Sequence, residues 1–588
     1  MADNKETITL TIDGVEVTAP KGSTILEAAH IAGIRIPTLC YLKDVDNGIG
    51  ACRMCLVQVN GSPKLAAACV FPAADGMDVV TNSELIAHNR KINLQLLLSN
   101  HNRSCLSCVR SGKCELESLC WEYGIDDADF YDGERRWGGI DDSAPHMIRD
   151  NSKCILCRRC VAACGNVQSI GVIGASNRGF KSEITCAFDL PLNDTACVYC
   201  GQCITACPVG ALYEKSNIDD VFHAINDPEK YVIVQAAPAV RAALAECFGK
   251  PIGTDAQGKL AAGLRRLKFD KVFDTVFSAD LTIMEEANEF IDRVKNGGKL
   301  PLITSCSPGW INFCEHYYPE LTDNLSSCKS PQQMFGAVAK SYYAEKMGID
   351  PANIVSVSVM PCTAKKGEIG RDDQAGAGYP DVDYVLTTRE LGRMMQRAGI
   401  DYDALPEEDF DLPLGLGSGA GVIFGATGGV MEAALRTAVE TLTGEDLPNV
   451  DFVDVRGVKG IKEATYEVAG LTVRVAVASG LANARALLDM VESGEKEYDF
   501  IEIMACPGGC VNGGGQPQVH ADVRNFTDIR AERAKVLYDL DKNNPVRKSH
   551  ENPAIKEIYA TYLGAPGSEL AHKLLHTTYV KKTINKPV

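Results

Sequence analysis

The chain has 588 residues, 45% of them hydrophobic, and a formal net charge of -18. That length predicts about four domains with real cores, and the acidity argues against a nucleic-acid or lipid-headgroup partner, because phosphate recognition needs basic clusters. Its 24 cysteines, many of them in C-x2-C runs, point to metal in a reducing compartment rather than to disulfides. The opening MADNKETITL has no basic apolar signal segment and no long apolar run occurs anywhere, so the expectation is a soluble, cytoplasmic protein with no membrane span.

Residues 1–80 begin with TITLTIDGVEVTA, two alternating runs around Asp13-Gly14, which is a hairpin signal. Thr24 and Glu27 form a capping box before a helix. Cys40, Cys52, Cys55 and Cys69 follow. A strand pair, a helix, a cysteine loop and a distant fourth cysteine resemble a plant-type [2Fe-2S] ferredoxin of β-grasp fold, its C-x4-C-x2-C spacing widened to C-x11-C-x2-C. Zinc is the alternative, but a zinc ribbon pairs two C-x2-C knuckles.

Residues 81–144 are helical in pattern and carry His101, Cys105, Cys108 and Cys114. Taken alone, one histidine and three cysteines suit zinc as well as iron. Directly after a ferredoxin module they resemble the His-ligated [4Fe-4S] segment of hydrogenases and of the large iron-sulfur subunit of respiratory NADH dehydrogenases. Cys120 lies outside the spacing and reads as a packed thiol. Residues 145–215 hold two C-x2-C-x2-C-x3-C runs, the bacterial two-cluster ferredoxin signature, in which the fourth cysteine of each run serves the other cluster. Cys154, Cys157, Cys160 and Cys207 are thus the expected ligands of one [4Fe-4S] cluster, and Cys164, Cys197, Cys200 and Cys203 of a second.

Residues 216–525 alternate strand-like and helical runs, among them YVIVQAAP then AVRAALAECFG, KVFDTVF then ADLTIMEEANEFIDRV, and LTVRVAVASG then LANARALLDMV. That alternation predicts α/β architecture with parallel strands. The glycines of LGLGSGAGVIFGATGG suggest a dinucleotide loop, but no clear strand precedes them. Three apolar runs end in cysteines: PLITSCSPGW at Cys306, NIVSVSVMPCTAKK at Cys362, and YDFIEIMACPGGC at Cys506 and Cys510, with Gly513, Gly514 and Gly515 just beyond. Cysteines just past buried strand ends, where open α/β sheets place ligands, converge on one site. Residues 526–588 form a polar helical tail without cysteine.

The three strings resemble the signatures of the [FeFe]-hydrogenases, TSCCPxW, MPCxxKxxE and ExMACxxGCxxGGGxP. The second and third are complete here; the first departs, reading Thr304-Ser305-Cys306-Ser307-Pro308. The resemblance implies an H-cluster, a [4Fe-4S] cubane joined by one thiolate to a two-iron unit bearing CO, cyanide and a dithiolate. Cys362, Cys506 and Cys510 fall at cubane positions, Cys510 at the bridging one. Either Cys306 is the fourth ligand and Ser307 the proton relay, or Ser307 binds iron and Cys306 relays; thiolate is the softer iron ligand, which favours Cys306. The resemblance also puts Glu286, Glu289 and Ser326 on the proton path, Lys365 against an iron-bound cyanide, and Pro238, Gln332, Met360 and Met504 in the cofactor pocket. By spacing alone Glu286 and Glu289 would be a solvated helix face, and the two methionines core packing. The tail resembles the small subunit of some hydrogenases.

The expectation is therefore an α+β multidomain catalytic subunit that interconverts H2 with protons and electrons. One [2Fe-2S] and three accessory [4Fe-4S] clusters, in chain order, suggest a wire. Partner subunits with flavin and NAD(P) sites, ferredoxin in some complexes of this kind, and maturation proteins for the two-iron unit are implied. A sensory relative or a non-catalytic iron-sulfur carrier or scaffold is the rival reading.

Overall fold

The computed structural model describes residues 6–125, 138–447, 449–468 and 470–582; residues 1–5, 126–137 of the expected His-ligated segment, and 583–588 of the tail lie outside the described residues. Among the described residues no helix is long and apolar enough to cross a membrane.

The Asp13-Gly14 turn joins Thr7–Ile12 to Val15–Pro20 as an antiparallel hairpin, both turn residues having the positive φ that a two-residue hairpin loop needs. The Thr24–Glu27 capping box opens the Ile25–Ile31 helix, which buries Ile25, Leu26, Ala28 and Ala29 in the core of a five-stranded mixed sheet. The helices Glu84–Ser99 and Glu115–Glu122 follow. In the next module Met147–Asp150 pairs antiparallel with Leu212–Glu214, so the two ends of the cysteine repeat are tied together.

Among the described residues, the stretch 216–525 has two four-stranded sheets. In one, Lys271–Asp274, Tyr231–Ala236, Ile354–Met360 and Tyr384–Thr387 are all parallel. In the other, Leu302–Thr304, Phe500–Met504 and Leu471–Ser479 are parallel neighbours, while Ile461–Val468 pairs antiparallel at the edge. This hairpin departs from the all-parallel expectation, and its alternating exposure fits a strand with one face in water.

One further expectation needs correction. AVRAALAECFG does not form one helix but two short turns, Pro238–Arg241 and Leu244–Phe248. Residues 232–245 are buried on every side, and Arg241 turns inward to Asp274 at 2.7 Å, Gln257 at 2.6 Å and the Pro238 carbonyl at 3.1 Å. The glycines of LGLGSGAGVIFGATGG follow no strand. A Cβ on Gly417 would lie 2.2 Å from Val276, and one on Gly419 2.2 Å from Asp541, so these residues let a loop seat between the Val276–Asn296 and Ile529–Asn543 helices. Close packing accounts for them without a nucleotide.

The tail contributes the helices Ile529–Asn543, Pro553–Ile558 and Glu569–Leu575. It lies on the two-sheet unit: Leu574 and Leu575 share a core with Met334 and Phe335, and buried Arg533 donates to the Val511 carbonyl at 2.9 Å.

Candidate metal centre and its two flanks

Cys306 and Cys506 leave adjacent parallel strands, since Thr304 is the register partner of Glu502. Cys362 leaves the central strand Ile354–Met360 of the other sheet. All three strand ends reach one largely apolar cavity, lined by Cys306, Ser307, Cys362, Cys506 and Cys510 together with Pro238, Gln332, Met360, Met504 and Lys365. The thiols of Cys306 and Cys510 are close neighbours, each shifting the other's pKa, with Cys306 held low and Cys510 pushed up. Burial pushes Cys362 and Cys506 above the usual thiol range, each in the field of other cysteines or acids. So many thiols cannot ionise together in an apolar pocket unless a cation offsets their charge, which is the service a soft metal performs.

The cavity's one cation is fixed from behind. Lys365 Nζ lies 3.0 Å from Glu368 Oε2, and that carboxylate also accepts from Gln332 at 2.9 Å and Ser330 at 3.0 Å. Gln332 in turn accepts from the Ser358 hydroxyl at 2.8 Å. Glu502 has a structural task, accepting the Gly428 and Met431 N–H groups at 2.7 Å each at the start of the Gly429–Thr443 helix.

On one side of the cavity a line of side chains leads outward. Glu286 is buried, its Oε1 accepting from Thr304 at 2.6 Å while Oε2 has no partner. Burial raises its pKa to about 7 against the opposing Thr304 bond, with the neighbouring Glu289 charge adding to the rise. Ser326 lies between the two acids, near enough to Glu286 to act against the rise in its pKa and donating to Glu289 Oε2 at 3.2 Å. Sequence reasoning missed Arg293, 2.5 Å from Glu289 Oε1, although its position four residues on along the helix was a usable signal. It also missed Ser327, whose N–H and hydroxyl both reach Glu289.

On the other side the ferredoxin module closes in. Cys200 lies in the electrostatic field of Cys362 and Cys506. Thr363 donates to the Tyr199 carbonyl at 2.8 Å, and Gln202 to the Asn512 carbonyl at 2.9 Å. A Cβ on Gly514 would lie 2.2 Å from the Cys200 carbonyl, and one on Gly201, at φ +68, 3.1 Å from the Gly514 Cα. The glycine-rich turn therefore brings backbone against the neighbouring cysteine loop.

The remaining expected ligands also gather. Cys154, Cys157, Cys160 and Cys207 line one small cavity, and Cys164, Cys197 and Cys200 are charged neighbours of Cys203. Cys40, Cys52, Cys55 and Cys69 gather as neighbouring thiols, Cys52 beside Cys40, Cys40 beside Cys69 and Cys69 beside Cys55. Cys108 neighbours both Cys105 and Cys114. His101 is buried, held neutral with a pKa near 4 by burial, and its Nδ1 has no partner. Cys120, expected as a packed thiol, is close enough to Cys105 and Cys114 to feel their charge.

Among the described residues, the groups of three or more His, Cys, Asp or Glu with ligand atoms within 4.8 Å of one another are Glu440 with His550 and Glu551, and Glu432 with Asp451 and Asp541. No cysteine set is that tight, whereas a single zinc ion draws thiolates to within about 4 Å of one another. The cysteine sets suit clusters better than single ions.

The modules meet in a fork rather than a single file. Asn47, buried, donates to the carbonyls of both Cys40 at 2.7 Å and Cys157 at 3.0 Å. The His101 segment packs on the same ferredoxin half: Glu115 N–H bonds the Pro208 carbonyl at 3.1 Å, and Arg159 pairs with Glu115 at 2.9 Å. Both N-terminal modules therefore converge on the Cys154–Cys207 set.

Five families match the chain in order: a 2Fe-2S iron-sulfur cluster binding domain at residues 5–84, the NADH-ubiquinone oxidoreductase-G iron-sulfur binding region at 90–129, a 4Fe-4S dicluster domain at 153–211, the iron only hydrogenase large subunit, C-terminal domain, at 230–514, and the iron hydrogenase small subunit at 527–582. The NADP-reducing hydrogenase subunit HndD of Solidesulfovibrio fructosivorans is 51% identical over 98% of this chain and 99% of its own length. Iron hydrogenase 1 of Clostridium pasteurianum is 44% identical over 97% of this chain and 100% of its own. A structure of an apo [FeFe]-hydrogenase from Chlamydomonas reinhardtii is similar with a TM-score of 0.56 and 47% identity, covering 62% of this chain and 99% of that one. With thiols from three strand ends around one apolar cavity and this likeness along almost its whole length, the chain belongs to the [FeFe]-hydrogenases.

Proposed function

We propose that this chain is the catalytic subunit of a cytoplasmic, multisubunit, NAD(P)-linked hydrogenase that interconverts H2 with two protons and two electrons. The observation that carries the reading is the position of the cavity, with a succession of carboxyl and hydroxyl groups on one side, Thr304 bonded to Glu286 and Ser326 to Glu289, and a cysteine loop of the two-cluster module on the other. H2 chemistry needs both exits at one place. A non-catalytic carrier or scaffold would have no use for a buried acid with one oxygen left without a partner.

Cys362, Cys506 and Cys510, with Cys306 or Ser307, would hold the cubane of the H-cluster, which when bound supplies the open iron position where H2 is split or formed. Lys365, held by Glu368, presents a charge-assisted donor to the cavity and orients whatever anionic ligand faces it. The thiol of Cys306 or the hydroxyl of Ser307 takes a proton at the cavity wall. Glu286 receives it at Oε2, while Thr304 keeps Oε1 in place, and Ser326 passes it to Glu289. A carboxyl with a pKa near 7 is suited to this exchange at neutral pH.

Electrons leave by Cys200 toward the two-cluster module and its fork. The likeness to an NADP-reducing hydrogenase subunit supports partner subunits that carry the flavin and nicotinamide sites, with ferredoxin as a further acceptor and maturation proteins delivering the two-iron unit. Infrared bands of CO and cyanide on iron, together with H2-dependent NAD(P)+ reduction by the purified complex, test the assignment; a chain with the clusters but neither property is a carrier. Iron counts in Cys306→Ala and Ser307→Ala decide the fourth ligand, since only loss of the true ligand depletes the cubane.

A further inference from the structure

We infer that the tail adds a second arm to the proton exit, running from Glu289 through Ser327 to His576. The inference rests on the proposed path through Glu286 and Glu289 and extends it beyond the residues that the signatures mark. Ser327 Oγ lies 3.2 Å from Glu289 Oε2 and 2.8 Å from His576 Nδ1. His576 Nε2 lies 3.1 Å from Glu285 Oε2. Glu285 is itself buried and accepts the Gly567 N–H at 2.8 Å and the Tyr559 hydroxyl. Three of these residues, Tyr559, Gly567 and His576, come from the tail.

The chemistry of Glu289's neighbours selects this direction. Arg293 donates to Glu289 and to the carbonyls of Leu325 at 2.9 Å, Asn324 at 3.3 Å and Lys299 at 3.1 Å. A guanidinium has no lone pair to accept a proton and does not give one up in proteins. Ser326 leads back to Glu286. Ser327 is the contact that leads on to an imidazole, the side chain that takes and gives protons near neutral pH.

The bonds also survive the transfer. Before it, protonated Glu289 donates to Ser327 Oγ, the Ser327 hydroxyl donates to His576 Nδ1, and His576 Nε2–H donates to Glu285. After it, His576 donates from both nitrogens, Ser327 donates back to Glu289, and the imidazolium sits beside the Glu285 carboxylate. One proton has moved and no hydrogen bond is lost. His576, its side chain 8% exposed, stacks on the exposed ring of His572 at 4.0 Å between centroids, so the arm ends at the surface. Glu289 has its own narrow opening, its side chain 15% exposed, so the arm adds to that exit rather than replacing it.

The test uses the fully loaded enzyme. His576→Ala, His576→Gln and Ser327→Ala should each lower turnover about tenfold in both directions, a modest share of what a positioned proton donor supplies, with KM for H2 unchanged and, in His576→Gln, the thermal midpoint unchanged. The Ser327→Ala/His576→Gln double variant should be no slower than either single, as for two members of one arm. Added imidazole should restore His576→Ala but not Ser327→Ala. Glutamine can keep hydrogen bonds to Ser327 and Glu285 but cannot change its protonation, so full turnover in His576→Gln would make His576 a packing residue and overturn the arm. A turnover loss that tracks a fall in thermal midpoint would overturn it too. Glu286→Gln run in parallel separates the two levels: if that variant keeps full turnover the path itself is wrong, and if it is inactive while the His576 variants are normal only the arm is.

Discussion

The two flanks of the cavity are built by different means. Toward the ferredoxin module, contact is made by backbone, with Gly201 against Gly514 and the Cys200 carbonyl beside the glycine turn, joined by bonds from Thr363 and Gln202 to carbonyls. Toward solvent, contact is made by side chains from three separate stretches, the Val276–Asn296 helix, residues 304–327 and the tail. Electron transfer asks only that cofactors be close and rigidly held, which glycine and main-chain bonds provide. Proton transfer asks for a group that can both give and accept a proton at each hydrogen-bonding step, which carboxyl, hydroxyl and imidazole side chains supply. A side-chain deletion should therefore break one flank outright, and an added methyl group should strain the other.

The largest effect is expected at Glu286. Glu286→Gln keeps the Thr304 bond but removes the exchangeable proton, so H2 turnover should fall by about two to four orders of magnitude with iron content unchanged; near-normal turnover would remove Glu286 from the path. A pH dependence goes with it. Burial raises the folded pKa of Glu286 to about 7 from an ordinary 4.5, so between those values the folded chain binds more protons than the unfolded one. Its favourable contribution is complete below the lower value and is lost as pH rises through the upper one. Relative to wild type, Glu286→Gln should thus gain thermal stability as the pH is raised from about 4.5 to about 7 and hold level above that, and parallel profiles for the two proteins would contradict the raised pKa.

The same contrast explains what could be read from sequence. Cluster ligands sit at short fixed spacings, because one cuboidal cofactor must be reached by one loop, so the runs Cys154–Cys164 and Cys197–Cys207 announce themselves. Strand ends carrying Cys306, Cys362 and Cys506 were legible because each apolar run stops at a cysteine. Arg293 was available from helical periodicity. His576 was not, since nothing in HKLLHTTY marks a residue that will meet Ser327 from 249 positions away. The fork was equally hidden: chain order implied a single file, and only the Asn47 side chain reveals that the first module docks on the Cys157 loop. The broken helix after Ala236 was missed because complete burial erases the periodicity that separates helix from turn.

A smaller effect is expected on the electron flank. In Gly514→Ala the new Cβ would lie 2.2 Å from the Cys200 carbonyl and 2.8 Å from the Gly201 Cα, both backbone atoms that cannot swing aside. Overpacking of this kind costs about 1 to 3 kcal/mol, to be read as a lower thermal midpoint. The accompanying shift of the ferredoxin loop away from the cavity should slow reduction of the accessory clusters by H2, while isotope exchange between H2 and water, which needs no electron exit, continues. If exchange is lost along with cluster reduction, the glycine turn shapes the cavity itself and the two flanks are not independent.

The fork offers the mildest break. Asn47→Ala removes two donors from buried carbonyls, those of Cys40 and Cys157, leaving each unpaired at a cost on the order of 1 kcal/mol apiece. The first module should loosen against the ferredoxin pair, so that H2 reduces the [2Fe-2S] cluster more slowly. Turnover with a small dye should stay unchanged, because the dye can draw electrons from the other branch. A dye-linked rate that falls in step with [2Fe-2S] reduction would mean that the electrons run in single file after all, with the His101 segment as a side pocket rather than a branch.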